Sequence, residues 1–259
     1  MRNTGLFMIM MLGASTLTAQ VKQADSPLSG RITYEEKLKL EIKLEGDAAQ
    51  FASMLPSERK AEKILLFNEE GALYQDGNNN AEEAMVASSH TEGVRIRMVS
   101  SAENKTYTDL KNNIVLDQRD FMNRIFIVEK PVSEPNWKIT GNQKVILGQN
   151  CMEAIKTDTA GIKTIAWFAP GIAIKAGPAG LGSLPGIILE ADINNGSRTY
   201  TAKAIEQIPA AQLKIEKPKD GKKVTEAEYN QIMAEKLKEM GMEQGKPGSG
   251  AQMHIIIKQ

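Results

Sequence analysis

The sequence has few of the residues that enzymes and metal sites commonly use. It contains 1 cysteine and 2 histidines in 259 residues, and aromatic residues make up 5% of the chain. A single cysteine excludes a disulfide bond within the chain. So few histidines disfavour hydrolytic or metal-dependent catalysis, because histidine is a frequent general base and metal ligand. The composition therefore favours a protein without enzymatic activity and without a cofactor.

An excess of charge of one sign is also absent. The 32 lysine and arginine residues balance 32 aspartate and glutamate residues, so the formal net charge is zero. Proteins that bind nucleic acid usually carry a basic patch or stripe. The sequence has no dense block of lysine and arginine residues, and we expect no nucleic-acid partner.

The sequence also lacks an apolar run long enough to cross a membrane. The run at residues 6–12 follows Arg2 and precedes small residues that end at Ala19. A transmembrane helix needs roughly 20 apolar residues, whereas this order of segments is typical of a secretory signal peptide. We expect residues 1–19 to be a signal peptide cleaved after Ala19, although a buried N-terminal helix is an alternative. The mature protein would be periplasmic or secreted, with no transmembrane span.

A clean alternation of apolar and polar residues begins at Ile32. Apolar side chains occupy the even positions up to Leu44, and polar or charged side chains stand between them. A period of two is typical of a strand with one buried face and one solvent face. Only Glu36 breaks the buried face, and we expect a bulge there. Strands of this kind belong to antiparallel sheets.

Shorter strand patterns follow at regular spacing and predict a meander of antiparallel hairpins. Asn195-Gly196 predicts a two-residue type I′ turn, because both of its positions need positive φ. Another turn is expected at residues 148–150, and Asp47 would cap a short helix over residues 48–55. We therefore predict a mainly β (α+β) fold with short helices in residues 20–208. The strand segments are 64–67, 72–74, 94–98, 105–110, 113–117, 125–128, 144–147, 151–156, 163–168, 187–193 and 198–208.

The composition changes after Pro209. Residues 214–223 form a basic segment that is typical of a solvated linker, and Thr225-x-x-Glu228 is a capping box that predicts a helix start. Apolar residues at helical spacing then predict an amphipathic C-terminal helix. We expect residues 209–259 to form a region of linker, helix and tail. The apolar face of the helix would comprise Tyr229, Ile232, Met233, Leu237 and Met240.

The segment at residues 167–190 is rich in glycine and proline. It lacks the G-x-G-x-x-G and Gly-Lys-Ser/Thr patterns of phosphate-binding loops. Ser183 does not fit a G-x-S-x-G nucleophile, because Leu181 occupies the first glycine position. We therefore predict a rigid loop that closes the edge or rim of the sheet. Gly177 and Gly186 are expected to hold backbone conformations that alanine would strain, by about 1 kcal/mol or more if φ is positive.

Several short motifs surround this loop in a fixed order. Residues 183–188 have the sequence S-L-P-G-I-I, and further matching residues precede them. Together the motifs resemble the GLPGLI family of secreted Bacteroidetes proteins, from whose hexapeptide this copy differs at the first and fifth residues. The resemblance implies a curved, half-barrel-like sheet similar to periplasmic lipoprotein carriers, and it implies no particular activity. The residues that carry it are Trp137, Cys151, Trp167, Gly177, Pro178, Leu184, Pro185, Gly186, Ile187, Ile188 and Glu190.

Two sets of sulfur-containing residues are candidate sites. Met240, Met242, Met253 and His254 lie near the C-terminus. They would suit Cu(I), which prefers soft ligands such as thioethers, although Met240 also fits the apolar face of the helix. Cys151 is predicted to be a buried, inert thiol, and its alternatives are a nucleophile or an intermolecular disulfide.

Three functions remain open from the sequence. The favoured hypothesis is a non-catalytic binding or carrier protein of the envelope, in which the sheet curls around a groove that helices plug. Its partner would be an apolar ligand or an envelope protein, and Trp137, Trp167 and Phe168 would line the cavity or pack in the core. The alternative is a copper-handling envelope protein that uses the C-terminal methionines and His254. An enzyme with an unrecognised site is the third hypothesis.

Overall fold

The computed structural model describes residues 28–40, 57–77, 86–87, 95–97, 104–132, 136–239 and 256–258. These residues form fifteen strands and one α-helix. In chain order they are β1 (Gly30–Lys39), β2 (Glu58–Phe67), β3 (Gly71–Asp76), β4 (Val86–Ala87), β5 (Arg95–Arg97), β6 (Lys105–Asp109), β7 (Ile114–Phe121), β8 (Arg124–Pro131), β9 (Lys138–Ile146), β10 (Gln149–Thr157), β11 (Lys163–Ala169), β12 (Ile187–Ile193), β13 (Arg198–Gln207), β14 (Lys222–Thr225), α1 (Glu226–Glu239) and β15 (Ile256–Lys258).

Twelve of the strands form one large sheet. Its strand order is β14-β8-β7-β6-β3-β2-β1-β13-β12-β11-β10-β9, while β15, β5 and β4 form a second, three-stranded sheet. Neighbours in the large sheet run antiparallel, apart from the parallel pair β14 and β8. The fold is mainly β with a curved, open antiparallel sheet, as predicted. Its two edges are β14 and β9.

Strand β1 lies near the middle of the large sheet and shows the predicted alternation. Tyr34 is fully buried, and Glu36 follows it on the same face. The bulge expected at Glu36 is wrong, because the register shift against β13 lies between Thr33 and Tyr34. The Glu36 carboxylate stays on the buried face, where it forms an ion pair with Arg198. Residues 41–56, which include the end of the predicted strand and the predicted helix over 48–55, lie outside the described residues.

Two hairpin turns differ from those expected. Strands β12 and β13 leave four residues, 194–197, between their last paired positions, so the predicted two-residue turn is wrong. The Gly196 N–H donates to Asp192 Oδ1 at 2.5 Å, which stabilises this wider loop. Between β9 and β10, Leu147 and Gly148 form the turn, with φ values of 50° and 76°. Those positive values are the ones that a type I′ turn needs.

Small residues on three adjacent strands share one core with the Gly/Pro loop, which we define as residues 170–186. Ala154, Ala166 and Ala191 lie opposite one another on β10, β11 and β12, and none has exposed surface. The loop covers the buried face of the sheet and does not close its edge or rim. Its 3-10 turn at Pro178–Gly180 reaches β3 and β6. Its buried side chains are Ile172, Ile174, Ala176, Pro178 and Leu184.

Helix α1 begins at the predicted capping box. The Glu228 N–H donates to Thr225 Oγ1 at 3.2 Å, and the Thr225 N–H donates to Glu228 Oε2 at 2.7 Å. The two bonds satisfy backbone donors at the helix start that would otherwise lack partners. One face of the helix then packs on the β8 end of the sheet. The apolar contacts join Tyr229 and Met233 to Phe121, Phe126, Val128 and Val224.

The segment after Pro209 is not wholly a linker. Lys222 and Lys223 belong to β14, which pairs with β8, so part of the predicted basic linker completes the large sheet. Helix α1 therefore covers one end of the sheet and does not plug a groove. Met240, the last residue of the predicted apolar face, lies outside the described residues. No helix in the described part of the chain is long and apolar enough to cross a membrane.

Candidate functional site

The Gly/Pro loop needs glycine for close packing. Gly177 has φ −169° and ψ −175°, which is extended backbone, so alanine would not be strained there by a positive φ. A Cβ atom at this position would lie 2.8 Å from Ile188 Cβ. A Cβ atom at Gly186 would collide with Ala169 O and would lie 2.8 Å from Pro170 N. The loop follows this path because its backbone lies directly on neighbouring chain segments.

The two tryptophans lie on opposite faces of the sheet. Trp137 holds the Gly/Pro loop, because its Nε1–H donates to Gly182 O at 2.9 Å. Trp167 alternates with the buried residues of β11 and therefore faces outward, where Lys144 Nζ lies 4.2 Å from its ring centroid. Lys144 also pairs with Glu190 at 2.7 Å. Trp137 and Trp167 therefore do not line one cavity, and Phe168 is a fully buried core residue.

The remaining residues that carry the GLPGLI resemblance differ in their burial. Leu184, Ile187 and Ile188 are buried in the core with at most 1% exposure. Pro178 and Gly186 are also buried, whereas Pro185 is exposed. This pattern describes a structural segment, because its apolar side chains point into the sheet and not toward solvent.

Cys151 is buried, as predicted. Its exposure is 1%, and burial raises the pKa of its thiol. A shallow depression of about 320 Å³ lies beside it and is lined in part by Met152, Pro170 and Gly171. A thiol with a raised pKa carries little thiolate, so it is a poor nucleophile. The two histidines, His90 and His254, lie outside the described residues.

The copper hypothesis concerns residues that the structure does not describe. Met240, Met242, Met253 and His254 lie outside the described residues. Within the described ranges, no group of three or more His, Cys, Asp or Glu side chains could hold a metal ion.

A group of charged and aromatic side chains was missed by the sequence analysis. It lies on the otherwise apolar face of the sheet, beside the Gly/Pro loop. Its single sequence signal was the charge of Glu36 at a position where the alternation expected an apolar residue. We call it the polar cluster and define it as Glu36, Tyr74, Asp117, Arg119, Arg198, Tyr200 and Glu226.

Strand pairing brings the central part of the polar cluster together. Glu36 lies opposite Tyr200, and Arg198 lies two pairs further along the same two strands, opposite Leu38. Arg198 Nε is 3.6 Å from Glu36 Oε1, and the Tyr74 hydroxyl donates to Glu36 Oε2 at 3.3 Å. Arg198 Nη1 donates to the Tyr200 hydroxyl at 3.5 Å. The Tyr74 ring also packs edge-on against Tyr34 and Tyr200, with centroid distances of 6.2 and 6.1 Å.

These tyrosines are hydrogen-bonding groups and not bases. Burial raises the pKa of Tyr74 well above its ordinary value, and the Glu36 carboxylate adds to the rise. Burial likewise raises the pKa of Tyr200, with smaller contributions from Glu36 and Asp117. Burial lowers the pKa of Arg198, but its neighbours Tyr200 and Glu36 raise that pKa overall. The hydroxyls therefore stay protonated while the guanidinium stays charged.

The second part of the polar cluster joins the sheet to helix α1. Tyr74, Thr106 and Asp117 lie opposite one another across β3, β6 and β7, so Asp117 shares the face of Tyr74. Arg119 donates to Asp117 Oδ2 at 2.9 and 2.7 Å. It also donates to both carboxylate oxygens of Glu226, at 2.8 and 3.1 Å. A guanidinium shared by two carboxylates fixes the start of the helix relative to β7.

Chemically, the polar cluster offers donors, acceptors and aromatic edges in a fixed arrangement. The side chains of Glu36, Asp117, Arg119 and Arg198 are 17%, 16%, 23% and 22% exposed, so they are largely withdrawn from solvent but still reach it. All described buried side-chain polar atoms have a hydrogen-bond partner. The arrangement suits recognition of a polar molecule better than a reaction on it, because each carboxylate is already held by an arginine.

Comparison with known proteins identifies relatives of this fold. The family model described as "N-glycanase peptide, N-terminal domain" matches residues 72–231. A structure of PNGF-II in space group P21 superposes with a TM-score of 0.52 at 18% identity, covering 79% of this chain and 33% of that one. A second PNGF-II structure, in space group C2, has the same TM-score at 17% identity and is covered over 32% of its length. Among curated proteins, none matches this chain.

The two structural relatives support the fold, and the chain spans about a third of their length. Nothing in these comparisons bears on the GLPGLI resemblance, which stays a prediction. The family model covers more than half of the chain. The matched residues include nine complete strands of the large sheet, β6 to β14, and the start of α1. The chain therefore belongs to the family of the N-glycanase peptide N-terminal domain.

Proposed function

We propose that this protein is a non-catalytic binding module that recognises a polar ligand through the polar cluster. The observation that carries the proposal is the set of ion pairs and tyrosine hydroxyls on a face that is otherwise apolar. Charged side chains that are largely withdrawn from solvent cost free energy, and they persist where a structural or binding role offsets that cost. Here they lie between the Gly/Pro loop and helix α1.

The family relationship supports a binding role. The family is named for the N-terminal domain of an N-glycanase peptide, and the PNGF-II structures are about three times as long as the matched part. A module of this kind would hold a substrate while another part of a longer protein acts on it. The signal pattern in residues 1–19 supports a location outside the cytoplasm, either periplasmic or secreted.

The chemistry of the described residues supports a module without catalysis. The thiol of Cys151 has a raised pKa and 1% exposure, which disfavours a nucleophile. The carboxylates of Asp117 and Glu226 are both held by Arg119, which disfavours a general base. A general base has to be within reach of a substrate proton, with a pKa near the working pH.

The class of ligand is inferred from the side chains that the sheet and the Gly/Pro loop leave accessible. The Gly/Pro loop occupies the apolar face, so an apolar ligand no longer fits the groove expected from the sequence. The polar cluster instead offers the partly exposed Glu36 carboxylate and Arg198 guanidinium, which the buried hydroxyls of Tyr74 and Tyr200 hold in place. Alternating donors and acceptors beside aromatic rings suit a polyhydroxylated ligand. The N-glycan of a glycoprotein has this chemistry, in agreement with the name of the family.

Binding of a glycoprotein that carries N-glycans, compared with its deglycosylated form, tests the proposal. We expect the wild-type protein to prefer the glycosylated form in calorimetry. Arg198→Gln should weaken binding by about 10- to 100-fold, since a hydrogen bond to a charged group contributes about 1.5–3 kcal/mol. Tyr74→Phe removes a single hydroxyl and should weaken binding with little change in packing.

A matched control is available on the same pair of strands. Arg31 and Glu206 form an ion pair of 2.7 Å between β1 and β13, on the other face of the sheet. Arg31→Gln therefore removes an arginine–glutamate pair without touching the polar cluster, and it should bind like the wild type. Equal affinity for both forms of the glycoprotein, or unchanged binding by Arg198→Gln, would refute the ligand assignment. Release of glycan by the purified protein would refute the absence of catalysis.

A further inference from the structure

The two edges of the large sheet differ in length and in protection. Edge strand β14 has 4 residues and continues directly into helix α1, which packs beside it. Edge strand β9 has 9 residues, of which seven are exposed, and in the described part of the chain it pairs with β10 alone. A long open edge presents unpaired backbone donors and acceptors, which are a template for pairing with another strand.

The open edge also carries exposed apolar side chains. Of the described residues, five large apolar side chains are strongly exposed, and three of these lie on β9 and its turn. Val145 is 65% exposed, while Ile139 and Leu147 are each 45% exposed. Edges that remain unpaired are usually guarded by charge or by irregular backbone. On β9 the protection against pairing with another strand is incomplete. It consists of Lys138, Lys144 and a kink at Gly141, where φ is 88°.

The sequence of β9 is complementary to itself in one antiparallel register. With a two-fold axis at Asn142, Ile139 of one copy lies opposite Val145 of the other, and this pair occurs twice. Lys138 would oppose Ile146 and would not face another lysine. If the axis moved to Gly141, Lys138 would oppose Lys144 on both sides of the axis, and like charges directly opposite are destabilising.

The kink at Gly141 is compatible with this register. Three residues of β9, 140–142, lie opposite the single residue Glu153 of β10. The strand therefore bulges at its centre. Both copies would place this bulge beside the two-fold axis, and the straighter segments on either side would pair. Thr140 and Asn142 are already held by Glu153, through bonds of 2.6 and 2.8 Å, which orders the bulge before any partner arrives.

We propose that β9 is the contact surface for a second copy of this chain, with the two copies paired antiparallel about Asn142. The pairing joins the two large sheets into one continuous sheet and covers Ile139 and Val145. The occupant is a second copy because the apolar pairs and the separation of the lysines both follow from the sequence of β9 itself. The proposal is independent of the polar cluster, which lies on other strands.

A cysteine placed on the two-fold axis gives a direct test. Because Asn142 lies on the two-fold axis, its two copies are the closest pair of equivalent residues, and a disulfide forms where two Cα atoms come within about 4.4–6.8 Å. The chain's own cysteine, Cys151, is 1% exposed and should not interfere. Under mild oxidation, Asn142→Cys should form a covalent dimer quickly. Thr159→Cys, in the exposed turn between β10 and β11, is the matched control and should form one slowly.

Sedimentation of the full chain measures the same contact without a cross-link. The wild type should show a concentration-dependent dimer, and Val145→Lys should raise its dissociation constant at least 10-fold. Met122→Lys, at a side chain that is 44% exposed in the β7–β8 turn, should leave the dimer unchanged. Both substitutions lie at the surface, so folding is expected to persist and is checked by circular dichroism. The proposal is overturned if the wild type stays monomeric, if Val145→Lys dimerises normally, or if the two cysteine variants cross-link at the same rate.

Discussion

Replacing Gly177 with alanine adds one methyl group at a crowded point of the Gly/Pro loop. The new Cβ atom would lie 2.8 Å from Ile188 Cβ, 3.0 Å from Ile188 Cδ1 and 3.1 Å from Leu181 O. The Cδ1 atom can move by a rotamer change, but the Cβ atom of Ile188 is fixed to a backbone that is paired in β12. We therefore expect the loop to be pushed away from the sheet.

The magnitude follows from two opposing effects. Overfilling a packed core costs about 1–3 kcal/mol. Because the backbone at Gly177 is extended, alanine fits its φ and also reduces the entropy of the unfolded chain, which returns about 0.4–1 kcal/mol. We expect a net loss of about 1–2 kcal/mol in the free energy of unfolding. For a chain of this size, each 1 kcal/mol lowers Tm by about 2–4 °C.

Gly171 provides a matched control within the same loop. It is exposed, has no positive φ, and an added Cβ atom would make only an ordinary contact, 3.6 Å from Gln149 Oε1. Gly171→Ala should be neutral or stabilising by about 0.4–1 kcal/mol through the unfolded chain. Urea unfolding of both variants, analysed at a common m value, measures the difference. If Gly177→Ala and Gly171→Ala have the same midpoint, the close approach of the loop to the sheet is not what requires glycine.

Two further outcomes are expected. Burial raises the pKa of Glu226, but the hydrogen bond and charge of Arg119 lower it overall, below its ordinary value of 4.5. A depressed folded-state pKa gives stability that is present above the unfolded value and is lost as the pH falls through the folded value. Wild-type stability should therefore fall more steeply below pH 4.5 than that of Glu226→Gln, and parallel urea midpoints in the two proteins would contradict the ion pair. Cys151 should react with a thiol reagent only after unfolding, and rapid labelling of the native protein would show that its burial is wrong.

The strand positions could be predicted because they depend on near neighbours. Alternation around Tyr34 predicted the buried face of β1, and turn residues predicted several of the hairpins. The capping box at Thr225 is also local, since its two hydrogen bonds join residues that are three positions apart. The predicted turn at Asn195-Gly196 failed because the side chain of Asp192 stabilises a wider loop. The rule that predicts a two-residue turn from Asn-Gly does not take this hydrogen bond from Gly196 to Asp192 into account.

The position of the Gly/Pro loop could not be predicted from its composition. Glycine and proline indicated a constrained backbone path, but they did not indicate which surface the path follows. The core that the loop joins includes Ala154, Ala166 and Ala191, which come from three strands and lie side by side only after the strands pair. Glycine at position 177 was correctly recognised as constrained, yet the reason is a neighbour in space and not a left-handed φ.

The sequence by itself determined the mainly β class, the buried face of β1 and the start of α1, because period and capping are properties of adjacent residues. The tertiary structure alone decided that the loop fills the buried face and that Glu36 meets Arg198. Both depend on the register of strands that are distant in the chain, and a shift of one residue would turn either side chain to the opposite face. In the sequence Glu36 is an isolated irregularity, whereas in the folded sheet it is the centre of the polar cluster.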